Sequence, residues 1–223
     1  ALVNRLGFNN KGVDYLVNNL KTRKYKGVLG VNIGANKNSV GDERIKDYLI
    51  CLEKVHKYAD YITINISSPN TPNLRDLQNN ENLTILINAI DKNIKELDID
   101  IPIFLKISPD ETDTTINNII AHVDNSSFSG IIATNTTIDK SMILNEGIKL
   151  IEGGLSGEPL MDKSTHCLSY IRSKSKDMHL IGVGGVLSKE DFNNKIDAGA
   201  SLVQIYTGFI IKGPNLINEV LSD

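Results

Sequence analysis

Absences narrow this sequence before any motif does. It holds two cysteines, Cys51 and Cys167, far apart and among apolar neighbours. That excludes a disulfide framework and predicts two reduced thiols on buried helix faces. No apolar run approaches the ~18 residues of a membrane span, and nothing in these residues reads as a secretory leader. Basic residues are not in excess: the net charge is −3 and no basic stripe is present, so a nucleic-acid partner is not expected. There is no G-x-G-x-x-G or Walker pattern, which argues against NAD or ATP by those routes. No G-x-S-x-G elbow or Ser-His-Asp arrangement can be drawn. His56, His122, His166 and His179 lack metal-ligand spacing and read as helix or loop residues, so no metal is expected. No low-complexity linker or repeat divides the 223 residues, which read as one domain spanning 1–223.

What is present is an alternation. Short β-rich runs occur at Gly27 to Ile33, Tyr61 to Ile66, Ile101 to Ile107, Gly130 to Thr134, Leu180 to Val183 and Leu202 to Tyr206. Between them apolar residues recur at helical spacing: Ile45, Tyr48, Leu49, Leu52, Val55; then Leu83, Leu86, Ile87, Ile90, Ile94; then Ile116, Ile119, Ile120, Val123. Ser188 with Asp191 resembles a capping box opening a last helix around Phe192 and Ile196. Strand–helix alternation predicts an α/β fold with a parallel sheet, either an open doubly wound sheet or a (β/α)8 barrel.

The polar residues favour the barrel. The predicted strands close on Asn32 and Gly34; on Asn65, Ser67 and Ser68; on Lys106 and Ser108; on Thr134, Asn135 and Thr136; on Gly184 and Gly185; and on Tyr206 and Thr207. A barrel brings all such ends to one rim, where its sites lie, whereas an open sheet concentrates function at one switch point. The rim has recognisable chemistry. Glycines at Gly153, Gly154, Gly157, Gly184, Gly185 and Gly208 expose backbone N–H groups; they read either as turn glycines or, lying near the last two strands, as a phosphate cradle. Lys106 ends an otherwise apolar strand. It is either a lysine snorkelling from the barrel mouth or a fixed cation facing the N1 and C2 carbonyl of a reduced flavin. Asn4, Asn32, Asn65, Asn70 and Asn135 offer uncharged donor–acceptor pairs suited to a pyrimidine, although asparagine is also an ordinary turn residue.

The segment NISSPNTPNLR, Asn65 to Arg75, makes these hints specific. With NRLGFNN, GVNIG, LKISPD, ATNTT, GGLSG, IGVGG and GASLVQIYTGFIIKGP, all in family order across the chain, it resembles the class 2, quinone-dependent dihydroorotate dehydrogenases. That resemblance implies oxidation of dihydroorotate to orotate in pyrimidine biosynthesis on an FMN-bearing TIM-type barrel, with electrons passed to a quinone. It implies that Ser68 is the base removing the C5 proton while hydride leaves C6 for flavin N5; class 1 relatives use cysteine there. Asn4, Arg5, Leu6, Gly7, Phe8, Asn65, Asn70, Asn135 and Thr136 match substrate-binding positions, and Asn32, Asn65, Lys106, Thr134, Gly157, Gly185, Tyr206 and Thr207 match flavin contacts. The stiff loop Ser67 to Asn73 would then hold the base within reach of its proton.

The departure is at the start, where the chain opens on Ala1. Family members carry two further strands upstream, with a flavin-contacting loop that supplies a lysine, and ahead of these a helical region that meets the membrane and the quinone. The expectation is a barrel lacking its first two strands, cut from a longer protein. That protein would lie peripherally on the cytoplasmic face of a bacterial inner membrane or, alternatively, on the mitochondrial inner membrane. A class 1-type enzyme with a soluble acceptor and an inactive flavin-binding fragment are the other readings.

Overall fold

The computed structural model describes residues 1–222. In chain order the elements are β1 (Leu2–Asn4), α1 (Val13–Lys21), β2 (Gly30–Ile33), α2 (Asp42–Val55), β3 (Tyr61–Asn65), α3 (Asn80–Leu97), β4 (Ile103–Ile107), α4 (Asp113–Asp124), β5 (Gly130–Ala133), α5 (Glu146–Lys149), β6 (Gly154–Ser156), α6 (Met161–Lys174), β7 (His179–Val183), α7 (Lys189–Asp197), β8 (Leu202–Gln204), α8 (Thr207–Lys212) and α9 (Asn215–Leu221). Six strands form one parallel sheet in the order β2-β3-β4-β5-β7-β8. The order follows the sequence with no reversal, which removes the switch point of a doubly wound sheet. The sheet curls into a half-barrel, a partial (β/α)8 barrel. β1 and β6 make a separate antiparallel pair, Val3 opposite Leu155.

Strand periodicity divides the sheet into two faces. Ile62, Ile64, Leu105, Ile107, Ile131, Ala133 and Leu180 point outward into the main core, against Tyr48, Leu52, Leu86, Ile90, Ile119, Leu168 and Ile171 of the helices. Each buried Leu or Ile among them contributes about 1.5–3 kcal/mol relative to exposure. The alternate residues point inward, where Phe104, Ile132, Ile181 and Val183 form a second cluster against Tyr61. Tyr61 and Phe104 meet edge to face at 6.0 Å. Glycine at position 30 makes this possible, since a Cβ there would lie 2.0 Å from the Tyr61 ring. Further along the same face the residues become polar, with Asn32 beside Thr63 and Asn65 beside Lys106 in register.

Caps fix several helix starts. Asn79 accepts from Asn82 N, Thr112 from Thr115 N, and Ser188 from Asp191 N at 3.1 Å. Asp191 returns to Leu187 N at 2.9 Å, which completes the anticipated box one residue early. Differences from the sequence reading are local. The first strand of the sheet begins at Gly30 rather than Gly27 and the last ends at Gln204 rather than Tyr206, because ladder pairing begins and ends there. His179 opens β7 instead of sitting in a helix or loop. α1 went unread although Val13, Leu16, Val17 and Leu20 carry helical spacing and pack on the core. β1 and β6 are three residues each, too short to show alternation. Cys167 on α6 is buried while Cys51 on α2 is only half-buried. Burial pushes these thiols up to about 12 and about 11.

Candidate active site at the strand ends

The loop leaving β3 is organised by the amide that ends the strand. Asn65 Oδ1 accepts from Ser67 N (3.2 Å), Ser67 Oγ (3.0 Å) and Asn135 Nδ2 (3.3 Å). Tyr48 Oη holds the Asn65 carbonyl from the core side at 2.7 Å. The Asn65 Nδ2 hydrogens have no protein acceptor among the described residues, and the residue lines the cavity. Ser68 is 6% exposed, and its Oγ accepts from Asn70 N at 3.3 Å. The hydroxyl proton is thus left to donate, and the N–H favours any negative charge on that oxygen. Asn70 Nδ2 reaches across to Asn4 O (3.2 Å) and Asn4 Oδ1 (3.3 Å), tying the loop to the end of β1. Asn135 donates to Ser67 Oγ at 3.0 Å and accepts from Thr136 N at 2.7 Å.

A charged cluster behind these residues joins four segments. Arg75 donates to Ser67 O (3.1 Å), Thr136 O (2.9 Å) and Asp110 Oδ2 (2.8 Å). Asp110 also accepts from Lys163 Nζ at 2.6 Å, Ile138 N at 2.9 Å and the Thr137 hydroxyl. Burial raises the Asp110 carboxyl, but Lys163, Thr137, the Ile138 N–H and Arg75 outweigh it and hold it below the ordinary range. The loops after β3, β4 and β5 are thereby fastened to one another and to α6.

These loops enclose a cavity of about 800 Å³. Its wall includes Ser68, Asn4, Leu6, Gly7, Phe8, Asn65, Asn70, Asn135 and Thr136, together with Asn32, Lys106, Thr134, Gly157, Gly185, Tyr206 and Thr207. Of the residues matched to substrate and flavin positions, only Arg5 lies elsewhere; among the strand-end and glycine-rich residues, Gly34, Ser67, Ser108, Gly153 and Gly154 also lie off this wall. The exposed Arg5 guanidinium pairs with Glu152 and faces a neighbouring cavity. Lys106 is the sole charged side chain on the wall, and no carboxylate, histidine or cysteine joins it among the described residues. Burial alone pulls its ammonium down to about 8, since no anion faces it. At the far end Gly185, at φ 84, brings bare backbone against α6: a Cβ there would lie 2.5 Å from Met161 Cα. Thr207 Oγ1 donates to Ser156 Oγ at 2.9 Å beside Gly157.

Sequence reasoning missed several wall residues. Thr63, Gln204 and Tyr61 also line the cavity; the two-residue period from Asn65 back along β3 was the available signal for Tyr61 and Thr63. It also missed Lys195, fully buried and donating to Ser164 Oγ (2.6 Å) and Thr165 Oγ1 (2.7 Å). Ser164 in turn donates to Gly184 O at 3.0 Å and steadies the glycine loop.

A family model described as dihydroorotate dehydrogenase matches residues 1–223. The chain is 47% identical over 227 residues to the dihydroorotate dehydrogenase (quinone) of Legionella pneumophila strain Corby, covering 100% of this chain and 68% of that protein. It is 48% identical over 230 residues to the protein of the same name from Aliivibrio salmonicida, with coverage of 100% and 68%. Among solved structures, the Eimeria tenella enzyme in complex with ferulenol superposes with a TM-score of 0.90 at 34% identity, over 98% of this chain and 65% of that one. The chain thus spans about two thirds of the length of these relatives. With the sequential parallel sheet, the SSPNTP loop and the cavity they build, these matches show that the chain belongs to the dihydroorotate dehydrogenase family.

Proposed function

We propose that this chain forms the substrate- and flavin-binding part of a class 2 dihydroorotate dehydrogenase, oxidising dihydroorotate to orotate with a quinone as final acceptor. The observation that carries the reading is the cavity wall, where one unpaired cation, Lys106, stands among amides and hydroxyls with Ser68 on the loop above. An anionic, planar, amide-rich ligand suits such a wall. No cysteine reaches it, which disfavours the class 1 alternative.

The residues fit FMN. Lys106 and Asn65 are register neighbours, giving a cation and free amide hydrogens for the electron-rich edge of a flavin ring. Asn32 and Thr134 would flank it, and the bare backbone of Gly157 and Gly185 with Tyr206 and Thr207 would take the phosphate. Bound there, FMN would supply the acceptor for the C6 hydride. The chain's own work is to hold dihydroorotate with Asn4, Asn65, Asn70, Asn135 and Thr136, to cover it with Phe8, and to take the C5 proton at Ser68 Oγ. A serine is a poor base at neutral pH. Its own hydroxyl proton must therefore pass to solvent as the C5 proton arrives, and the Asn70 N–H on its oxygen stabilises the deprotonated form. Electron transfer to a membrane-soluble quinone supports a peripheral position on a bacterial inner membrane. No helix among the described residues is long and apolar enough to cross one.

Ser68→Ala tests the assignment. Flavin loading should be kept while the rate of flavin reduction by dihydroorotate falls about 10²–10⁴-fold, the range for loss of a positioned base. Reduction at the unaltered rate would overturn it.

A further inference from the structure

Arg44 is the third residue of α2 and is only 7% exposed. It has no carboxylate within ion-pairing distance among the described residues. A buried cation in the first turn of a helix is unfavourable by burial and by helix polarity alike unless its neighbours compensate it. Its hydrogen bonds do. Nε and Nη2 donate to Ser39 O at 3.2 and 3.1 Å, Nη2 also to Pro72 O at 3.1 Å, and Nη1 to Asn73 O at 2.6 Å. All its acceptors are main-chain carbonyls of two rim loops, the one after β2 and the one that carries Ser68.

The Ser68 loop is therefore held at both limbs. Arg75 grips its start at Ser67 O, and Arg44 grips its end at Pro72 and Asn73. Asn73 sits there in a left-handed conformation, φ 55, which asparagine tolerates better than other residues with a Cβ. Between the two grips lies Asn70, whose N–H fixes the Ser68 oxygen and whose amide fixes Asn4. We propose that Arg44 is a positioning residue: its guanidinium fork locks the far limb of the loop to α2, and so sets the place of the Ser68 hydroxyl over the substrate. It rests on the reading of Ser68 as base.

Two variants and two readouts test this. Arg44→Met removes the donors and keeps an unbranched stem; Arg44→Lys keeps the charge but cannot fork between Ser39 and Asn73. The first readout is amide hydrogen exchange of the unliganded protein. Exchange should quicken at Ser68, Asn70, Thr71 and Asn73 in Arg44→Met and stay unchanged in β3, β4 and α3. The second is single-turnover flavin reduction of the flavin-loaded protein with ordinary and C5-deuterated dihydroorotate. In Arg44→Met the limiting rate should fall about tenfold or more, as for a misplaced catalytic group. The C5 isotope effect should grow, and substrate affinity should change less than about threefold. Arg44→Lys should recover part of the rate. Unchanged loop exchange with an unchanged limiting rate would overturn the proposal, as would accelerated exchange spread over the whole sheet. If the wild-type protein shows no C5 isotope effect, the Ser68 reading fails instead, and the exchange pattern still decides whether Arg44 holds the loop.

Discussion

Lys106 is the sole charged side chain on the cavity wall among the described residues. Its ammonium, pulled down to about 8 by burial, is charged at neutral pH at a cost that an anionic ligand relieves. The unfolded chain keeps that proton up to the ordinary lysine range, so between about pH 8 and that range the unfolded state binds more protons. Lysine burial therefore lowers stability fully below pH 8, and the loss is recovered as pH rises through the window. Lys106→Met should leave the ligand-free protein more stable at pH 7, by on the order of 1–2 kcal/mol, when measured by urea unfolding. In the wild type, affinity of the flavin-free protein for FMN should weaken as pH passes about 8; in Lys106→Met it should be weaker at neutral pH and flat across that range. Quenching of flavin fluorescence on titrating the flavin-free protein with FMN reads this directly. The residue was legible because a lysine in an apolar strand is conspicuous. Lys195 and Arg44 were not, since a charged residue on a helix ordinarily faces solvent and only the packed structure shows otherwise.

Among elements, the loops matter more than the strands that lift them. Strands and long helices could be read from periodicity to within a few residues, because burial on one face imposes the pattern. The loops could be read only as composition. Nothing in the spacing of Arg75, Asp110, Thr137 and Lys163 foretells that they meet, for each comes from a different crossover. Removing the Asp110 carboxylate would leave Arg75 and Lys163 facing each other in a half-buried site. Asp110→Ala should therefore cost about 1–3 kcal/mol of stability, with Asp110→Asn retaining part of it, when measured by denaturant unfolding. The Asp110 carboxyl is held below its unfolded value, so its contribution is present above that value and is lost as pH falls through the depressed one. The alanine variant should accordingly show a flatter decline in stability under acid.

At the scale of the molecule, the sheet runs from β2 to β8 without its two outer strands pairing with each other among the described residues. Unpaired strand edges are templates for association. The chain by itself should therefore sediment as a concentration-dependent mixture, and a sharp monomer across micromolar to millimolar concentrations would contradict that. The barrel class was legible from polar residues closing one strand after another. The small β1–β6 sheet was not, because it joins segments far apart in sequence. Yet that sheet places Asn4 against Asn70 and completes the wall of the cavity.

The most direct test of the account is the visible absorption spectrum of the flavin-loaded protein, recorded anaerobically before and after dihydroorotate is added. The account predicts an oxidised flavin band that bleaches on addition. A band that stays oxidised at saturating dihydroorotate would contradict the proposed reaction, even with flavin in place.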